Sequence, residues 1–548
     1  MQILTSLLVL ICSVFACQAQ LTARAQADLI TNLPDVTFSY SSRVFGGYLK
    51  PDSTKQIYYM YLESQRSPDN DPLVMWFEGG PGCSGIGSLF MYNGPFRGNK
   101  DGQTLYENVF AWNKLANVLY IESPAPVGFS HFTGNTTIPN DDSTAVDNYN
   151  TLLDFFNYVM PNLKTRPFYL SGHSYAGAYI PTLTIQIING MKKNEFSANF
   201  QGILIGNGVM SEKRQHNTLV PIMYYHGLIG SSMWNKLKNA CCQATCMTEC
   251  DFWSHMVIEP STSNYDSDNS LCGNLTWITT EFDQWGTPND MYDIYQDCYY
   301  SQSARNHRVR GLNLIEKSIS FTDGADQNYD STDAHNGFDC WGSSMARQYL
   351  NRPDVQDAIH VNMPNFTWSS CSRFVEDNYN RSVYELDDIF DFILQNSNIS
   401  ILIFAGDVDL VCNFMMQELF VNDVAQKNNL ILHGDRTPWM FRGRIAGYQR
   451  IFDRIHHLTV KGSGHLVPLE RPGPALQMLA NFLFNRNSAN YSIPTPVSTD
   501  PQPLLPQYQA QVPHTCPPTG TAQDCSKISS ALMIASLFAI LSSKFFSI

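Results

Sequence analysis

The chain has 548 residues, of which 43% are hydrophobic and 15% charged, and its formal net charge is −14. This composition is typical of a compact globular protein and argues against a disordered one. The negative charge argues against non-specific binding to nucleic acid, because a phosphate backbone attracts basic surfaces. The length suffices for one large core, or for a large core with an insertion.

The first 19 residues predict a signal peptide. MQILTSLLVLICSVFACQA is an apolar run that ends in small residues, with a cleavage point after Ala19. It lacks the usual basic start, and a transmembrane anchor is the alternative interpretation, although the run is short. Secretion would bring the chain into an oxidising compartment. The other 12 of the 14 cysteines agree with that, as do six Asn-x-Ser/Thr sequons, at Asn135, Asn274, Asn365, Asn380, Asn398 and Asn490.

Beyond this segment, short apolar runs alternate with stretches of helical spacing. The runs that predict buried strands are DPLVMWFEGG, NVLYIES, RPFYLSG, GILIGNG and ISILIFAGD, while STAVDNYNTLLDFFNYVM predicts a helix. Such alternation predicts an α/β fold, with a mostly parallel central sheet and helices on both of its faces. Functional residues are then expected at the carboxyl ends of the strands.

The serine in LSGHSYAGAY, residues 170–179, lies where a predicted strand turns into a predicted helix. A serine on such a corner is the nucleophile elbow of the α/β-hydrolase fold, although the short motif alone is weak. Two later stretches fit the order Ser, Asp, His of that fold. ISILIFAGDVDLVCN offers Asp407 and Asp409 equally, and LTVKGSGHLVP offers His465 after another strand.

The alternation breaks between about residues 210 and 345. This region contains CCQATCMTEC and few long apolar strands, so we interpret it as an inserted, disulfide-rich cap. Clustered cysteines also suit zinc, but in a secreted chain disulfides are favoured. The pairing stays open for Cys241, Cys242, Cys246, Cys250 and Cys272.

The C-terminal end predicts a linker and then a hydrophobic tail. Residues 491–530 are rich in Pro, Thr, Ser and Gln, which is typical of an extended linker. Residues 531–548 are apolar and follow the small residues Gly520-Thr521-Ala522 and a polar spacer. This layout indicates a GPI-attachment signal, and a short transmembrane helix is the alternative.

Residues 28–486 resemble the serine carboxypeptidase family. The matching stretches occur in family order: GGYL (46–49), WFEGGPGCSG (76–85), WNKLANVLYIESPAPVGFS (112–130), GHSYAGAYIP (172–181), GILIGNG (202–208), YDIYQDC (292–298), YLNRPDVQDAIHV (349–361), GDVDLVCN (406–413) and GSGHLVP (462–468). The resemblance implies the α/β-hydrolase fold, with Ser174 as nucleophile and His465 as base. It selects Asp409 as the acid, because the family's acid lies three residues before the Cys of D-x-x-C-N.

The resemblance also implies the groups around this triad. The backbone N–H groups of Gly80 and Tyr175 would form the oxyanion hole. Cys412 matches the family's buried free thiol. Two disulfides are implied, Cys83–Cys371 and Cys298–Cys340.

Three positions depart from the family. Its members grip the substrate's C-terminal carboxylate with an Asn and two Glu side chains, and here those positions are Glu78, Tyr92 and His173. We call these three residues the swapped clamp, because a carboxyl group and its partner still face each other with their positions exchanged. Protonated His173 beside Glu78 would donate a hydrogen bond to a substrate carboxylate, and the Tyr92 hydroxyl would add a second donor. The alternative is drift after the carboxylate requirement was lost. Trp76, in the same loop, is either a pocket wall or core packing.

The sequence therefore predicts a serine-type carboxypeptidase that acts through an acyl-enzyme and is favoured at acidic pH. A hydrolase or acyltransferase that uses esters or amides is the alternative, and a non-catalytic binding protein is a third class. No metal or organic cofactor is implied. The expected partner is a peptide or another acyl substrate, not nucleic acid; the membrane is contacted only through the C-terminal anchor, and a homodimer is an open alternative to a monomer. The chain is expected in the secretory pathway, at the cell surface or outside the cell, with the lysosome as the alternative.

Overall fold

A large sheet is the centre of the fold. The computed structural model describes residues 21–99, 101–242, 250–258, 265–282, 290–296, 343–485 and 495–509. The described strands are β1 (Leu29–Ile30), β2 (Val44–Leu49), β3 (Lys55–Leu62), β4 (Leu73–Phe77), β5 (Phe96–Gly98), β6 (Leu105–Glu107), β7 (Asn117–Ile121), β8 (His131–Phe132), β9 (Phe168–Ser174), β10 (Phe200–Gly208), β11 (Met256–Ile258), β12 (Tyr265–Ser267), β13 (Ser400–Gly406), β14 (Thr437–Phe441), β15 (Arg444–Ile451) and β16 (Ile455–Val460).

Helices precede, connect and follow these strands. They are α1 (Ala23–Ala27), α2 (Gly85–Met91), α3 (Asp141–Asp154), α4 (Ala176–Lys192), α5 (Glu212–Tyr225), α6 (Ser231–Cys241), α7 (Leu271–Trp277), α8 (Ser343–Leu350), α9 (Pro353–Ala358), α10 (Arg373–Asn378), α11 (Asp387–Asn396), α12 (Phe414–Lys427), α13 (Val467–Glu470) and α14 (Pro472–Asn485). The helix predicted in STAVDNYNTLLDFFNYVM is α3, which starts with a capping box of Asn140 and Ser143 and continues as a π-helical turn to Val159.

Among the described residues, twelve strands pair into one sheet. Its six central strands are parallel neighbours in the order β7, β4, β9, β10, β13 and β16. Antiparallel strands extend both edges, β3, β2 and β1 beyond β7 and β15 and β14 beyond β16, while β8 pairs with β3. The predicted α/β-hydrolase fold is confirmed, with a sheet that is parallel at its centre and mixed over its full width.

The central strands are buried on both faces, which explains their continuous apolar sequences. Every residue of β4 and β7 is buried, and β9 is buried up to its last residue, Ser174. Helix residues such as Leu183 of α4 and Phe420 of α12 join the same core as Leu170 and Ile403 of the strands. A parallel sheet covered in this way presents the carboxyl ends of its strands as the place for a site.

The predicted insertion has its own smaller core. Helices α5 and α6 contribute Leu219, Trp234 and Leu237, and this cluster includes disulfide-bonded cysteines. Disulfides join Cys241 to Cys272 and Cys242 to Cys250. Because these four thiols are paired, they are not available to hold zinc; Cys246 lies outside the described residues.

The chain ends fall largely outside the described residues. The predicted signal peptide and the tail 531–548 lie there entirely, and the predicted linker is described only at 495–509, where a 3₁₀ turn at Pro506–Tyr508 is the regular element. The amide of Gln477 donates to the Thr495 carbonyl at 2.7 Å. Within the described ranges, no helix is both long and apolar enough to cross a membrane.

The described residues form two compact units. One comprises the described residues up to Val36 and Tyr40–Gln502, and it holds the sheet. The other comprises Thr37–Ser39 and the described residues from Pro503 onward. Within this small unit the Ser39 N–H donates to the Pro503 carbonyl at 2.8 Å.

Candidate active site

Ser174 lies on a sharp corner between β9 and α4. It is the last residue of β9, α4 begins two residues later, and its φ is 59°. A positive φ at a residue other than glycine is strained and occurs where the surrounding structure imposes it. The side chain is half-buried. This is the geometry of a nucleophile elbow, which points the hydroxyl away from the strand.

The glycine-rich loop after β4 lies directly against this corner. A Cβ added to Gly79 would lie 2.5 Å from the Ser174 Cβ and 2.7 Å from the Tyr175 nitrogen, so only glycine allows the approach. Gly80 has φ 111°, which also requires glycine. The structure therefore brings the loop that carries Gly80 against Ser174 and Tyr175, and the oxyanion role of Gly80 and Tyr175 stays a prediction.

The Cys83–Cys371 disulfide closes the end of this loop. It links residues separated by 288 positions and ties the loop before α2 to the segment before α10. The Ser84 N–H also donates to the Ser370 carbonyl at 2.8 Å. The other implied pair, Cys298 and Cys340, lies outside the described residues.

Asp409 and His465 form a buried hydrogen-bonded pair. The distance from His465 Nδ1 to Asp409 Oδ2 is 2.7 Å, and both side chains are almost completely buried. The carboxylate also accepts from the N–H groups of Val411 (2.8 Å) and Cys412 (3.1 Å). With Nδ1–H bound to Asp409, the Nε2 atom of His465 is the one left to accept a proton.

The structure distinguishes the two aspartates that the residues alone leave equal. Asp409 contacts His465, whereas Asp407 accepts from the Gly462 N–H at 2.7 Å, at the start of the loop that carries His465. Asp407 therefore braces that loop without touching the imidazole.

Asn207 is a residue that the sequence analysis missed. It lies near the end of β10, between the strands of the serine and the acid, and its Nδ2 donates to Asp409 Oδ2 at 2.8 Å. Its Oδ1 accepts from the Gly406 N–H at 3.0 Å. A polar residue at the carboxyl end of the strand next to the acid strand was a usable signal.

Glu78 and His173 face each other beside His465. His173 Nε2 lies 2.7 Å from Glu78 Oε1, and the two side chains are only 3% and 9% exposed. The Ser88 hydroxyl donates to Glu78 Oε2, and the Trp76 indole N–H points at the same oxygen from 3.4 Å. Ser88, which sequence analysis missed, therefore helps to fix the Glu78 carboxylate.

The His173 ring is enclosed by three other rings. Its centroid lies 5.6 Å from that of Trp76, 5.5 Å from that of Tyr92 and 5.5 Å from that of His465. Among the described residues, no partner lies within hydrogen-bond distance of His173 Nδ1. Because Nε2 faces Glu78 and Nδ1 makes no hydrogen bond to the Ser174 hydroxyl, the His173 ring is not placed to take the serine proton.

Trp76 and Tyr92, the other two residues predicted to contact the substrate, are buried as well. Trp76 is fully buried and also packs against Trp112 at 5.2 Å, so it acts as core packing beneath His173 in this structure. Burial raises the pKa of Tyr92, and the nearby Glu78 carboxylate adds to this, so the phenol keeps its proton. The Tyr92 hydroxyl can therefore serve as a donor.

The remaining predicted residues lie on the surface or in the core. Cys412 is buried without a disulfide among the described residues, and burial raises its pKa well above the usual range, so the thiol stays protonated. Asn490 lies outside the described residues. The other five sequon asparagines are exposed: Asn135, Asn274, Asn365, Asn380 and Asn398.

Comparison with known proteins identifies the family. A family model described as serine carboxypeptidase matches residues 34–485. The chain belongs to the serine carboxypeptidase family. Serine carboxypeptidase ctsa-3.1 of Caenorhabditis elegans is 36% identical over 515 residues, covering 84% of this chain and 89% of the relative. The lysosomal protective protein of Mus musculus is 33% identical over 477 residues, covering 84% of this chain and 94% of the relative.

A solved structure shows the same fold. The prohormone-processing carboxypeptidase Kex1(delta)p of Saccharomyces cerevisiae aligns with this serine carboxypeptidase at a TM-score of 0.64, covering 85% of this chain and 97% of that one. At 20% identity this likeness concerns the fold alone. The predicted family is confirmed, and with it the assignment of the chain as a hydrolase of the serine carboxypeptidase type.

Proposed function

We propose that this serine carboxypeptidase releases C-terminal amino acids from peptides through an acyl-enzyme on Ser174. His465 Nε2 takes the hydroxyl proton while Oγ attacks the last peptide carbonyl, and Asp409 stabilises the imidazolium. The N–H groups of Gly80 and Tyr175 stabilise the tetrahedral oxyanion. The amine leaves with the proton from His465, and a water activated by the same imidazole then hydrolyses the ester.

The observation that carries this proposal is the Asp409–His465 pair beside the Ser174 elbow. The two partners are 2.7 Å apart, and they follow β13 and β16, which lie on the same side of β9 in the sheet. The carboxyl ends of parallel strands lie at one edge of the sheet, which supports a common site for Ser174, Asp409 and His465. The family membership independently supports the same chemistry.

The swapped clamp supports an exopeptidase in which binding of the substrate carboxylate is coupled to uptake of a proton. The Glu78 carboxyl and the His173 imidazole lie 2.7 Å apart in a buried site, where a proton can be held between them. A substrate carboxylate adds a negative charge there, and a buried charge is costly unless it is compensated. Binding of a free acid therefore takes up one further proton, whereas binding of an ester does not. This predicts that cleavage of free acids relative to esters falls by up to about tenfold per pH unit.

The test offers the full-length mature chain an N-blocked dipeptide with a free carboxylate and its methyl ester. Assays run from about pH 4.5 to 7.5, which spans histidine titration, with Ser174→Ala as the blank. We expect release of the C-terminal amino acid, strongest at low pH, and ester cleavage that persists at pH 7.5.

Each other outcome selects a different function. Ester cleavage without any attack on the free acid would contradict the exopeptidase proposal and favour a hydrolase or acyltransferase for esters and amides. That class has one observation in its favour, because both oxygens of the Glu78 carboxylate already have partners within the protein, Ser88 and His173. Cleavage of neither substrate would leave the binding-protein class.

We also propose that the protein acts in the secretory pathway, outside the cell or at its surface. The sequon asparagines that the structure describes are exposed, and a relative is named a lysosomal protein, which keeps the lysosome as the alternative. Treatment of expressing cells with a phospholipase specific for phosphatidylinositol would release a GPI-anchored enzyme into the medium. Activity that stays inside a sedimentable acidic compartment would favour the lysosome.

A further inference from the structure

One segment of the insertion lies across the loops of the catalytic acid and base. We call residues Asp290–Gln296 the strap. Three backbone hydrogen bonds join it to those loops: the Leu410 N–H to the Met291 carbonyl (3.0 Å), the Ile294 N–H to the Val408 carbonyl (3.2 Å) and the His465 N–H to the Tyr292 carbonyl (2.7 Å). Two of these bonds are made by the residues on either side of Asp409. The strap thus fixes the acid loop and the base loop to one another.

The base loop is pressed tightly against the strap. A Cβ added to Gly464 would lie 1.9 Å from the Tyr292 carbonyl oxygen and 2.7 Å from the Asp293 Cβ. The Tyr292 ring also packs against the His465 ring, at 4.9 Å between centroids. On this side the loop has no room to shift.

Glu470, at the end of α13, holds the other side of the same loop. Its Oε2 accepts from the Gly464 N–H and from the Ser463 hydroxyl (2.9 Å), and its Oε1 accepts from the Leu466 N–H at 3.1 Å. One carboxylate therefore binds the N–H group of the residue before His465 and that of the residue after it. No other carboxylate among the described residues binds both neighbours of a triad residue in this way.

We propose that Glu470 is a positioning residue for His465, which it holds against the strap in the orientation that catalysis requires. It does not contact the substrate or the reacting atoms. Its effect is geometric. Without Glu470 the base loop would keep its hydrogen bond to the strap but would lose the hydrogen bonds on its other side. A displacement of about 1 Å in a catalytic group costs on the order of 100-fold in rate.

The variant that tests this is Glu470→Gln, with ester substrate so that the clamp does not enter. Gln keeps the shape but presents an amide NH₂ to one of the two backbone N–H donors, so one of the two holds is lost. We expect kcat to fall at least about tenfold while KM stays within about twofold. Glu470→Asp, which keeps both acceptor oxygens on a shorter stem, should retain more activity than Glu470→Gln.

A matched control is Glu385→Gln. Glu385 likewise accepts from a backbone N–H, that of Lys213 at 2.9 Å, and from a serine hydroxyl, that of Ser211 at 2.5 Å, but at the start of α5. We expect its kcat to stay within about twofold of wild type. If Glu385→Gln loses as much, or Glu470→Gln keeps wild-type kcat, the positioning role is wrong.

Folding and the proposed function are tested separately. Melting temperatures of all variants show whether a loss of rate reflects unfolding, and where Glu470→Gln does not fold, the Glu470→Asp variant decides by its kcat and KM. The inference rests on the proposed triad. The proposed triad, in contrast, is wrong if the Ser174→Ala variant still cleaves the ester.

Discussion

His173 and Ser174 are neighbours in the chain, yet their side chains have different partners. The Ser174 corner points its hydroxyl out of the sheet, while His173 turns inward to Glu78 and lies among aromatic rings. Adjacent residues at the end of a strand point to opposite faces, and the elbow increases that divergence. His173 is therefore directed away from the Ser174 hydroxyl, and in the proposed mechanism His465 supplies the base.

Glu78→Gln tests the proton count of the clamp. Removing the Glu78 carboxylate removes the like-charge repulsion between it and the substrate carboxylate. We expect cleavage of the free-acid dipeptide at pH 7 to rise about tenfold relative to wild type, and its pH profile to flatten. Ester cleavage by the same variant is the control and should change by no more than about threefold. An unchanged pH profile for the free acid would show that Glu78 does not meet the carboxylate.

A pair of conservative substitutions separates the two aspartates of GDVDL. Asp409→Asn leaves the shape intact but cannot hold the Nδ1–H tautomer of His465, and in Ser-His-Asp triads that change costs about 10⁴-fold in kcat. Asp407→Asn changes only the brace at Gly462 and should cost less than about tenfold. Steady-state kinetics on the ester substrate give both values. Equal losses would contradict the assignment of the acid.

At the scale of elements, the sequence predicted what local patterns encode. The strands β4, β7, β9, β10 and β13 were evident as apolar runs because they are buried on both faces. The antiparallel edge strands β14 and β15 were missed, since their alternating exposure makes them less apolar. Their pairing depends on partners that are distant in sequence.

For the site, motif resemblance predicted the triad, but the braces around it could not be read from the sequence. The strap acts through backbone groups, which any residue carries. Glu470 binds backbone N–H groups, which no side-chain pattern reveals. The clamp pair was predicted by its departure from the family, whereas its Ser88 partner lies ten residues from Glu78 and carried no motif.

Removal of the Cys83–Cys371 disulfide should lower the stability of the fold and loosen the glycine-rich loop after β4. The bond closes a loop of 288 residues, and losing such a native cross-link typically costs about 2–5 kcal/mol. We expect the Cys83→Ser, Cys371→Ser double variant to melt at a lower temperature and to lose kcat on the ester. The double variant avoids leaving a free thiol. A wild-type rate at a temperature where it is folded would show that the loop is held without the bond.

At the scale of the whole molecule, buried titratable groups set the pH range of stability. Burial raises the pKa of Glu122 and Asp290 to about 7. These groups are protonated in the folded state where the unfolded chain is ionised, so their stabilisation is complete below about pH 4 and is lost as pH rises through about 7. Burial lowers the pKa of His456 to about 4 and of His457 to about 3, which costs stability as pH falls below about 6.5.

The two sets offset one another only in part, which gives a directional prediction. Between about pH 4.5 and 6.5 the histidine gain with rising pH largely balances the carboxyl loss. Above about pH 6.5 the histidines no longer contribute, so the melting temperature should fall most steeply between pH 6.5 and 8. Thermal melts across this range provide the measurement. Glu122→Gln should make that fall shallower, and a melting temperature that rises from pH 6.5 to 8 would contradict the assignment.

The bond between Cys83 and Cys371 also determines what proteolysis would produce. A single nick anywhere between these two cysteines would yield an N-terminal fragment with the loop that flanks Ser174 and a C-terminal fragment with Asp409 and His465. The two fragments would remain one covalent molecule and would migrate together in electrophoresis until a reductant is added. Where the cut falls after Ser174, the serine would lie in one fragment, and Asp409 and His465 in the other.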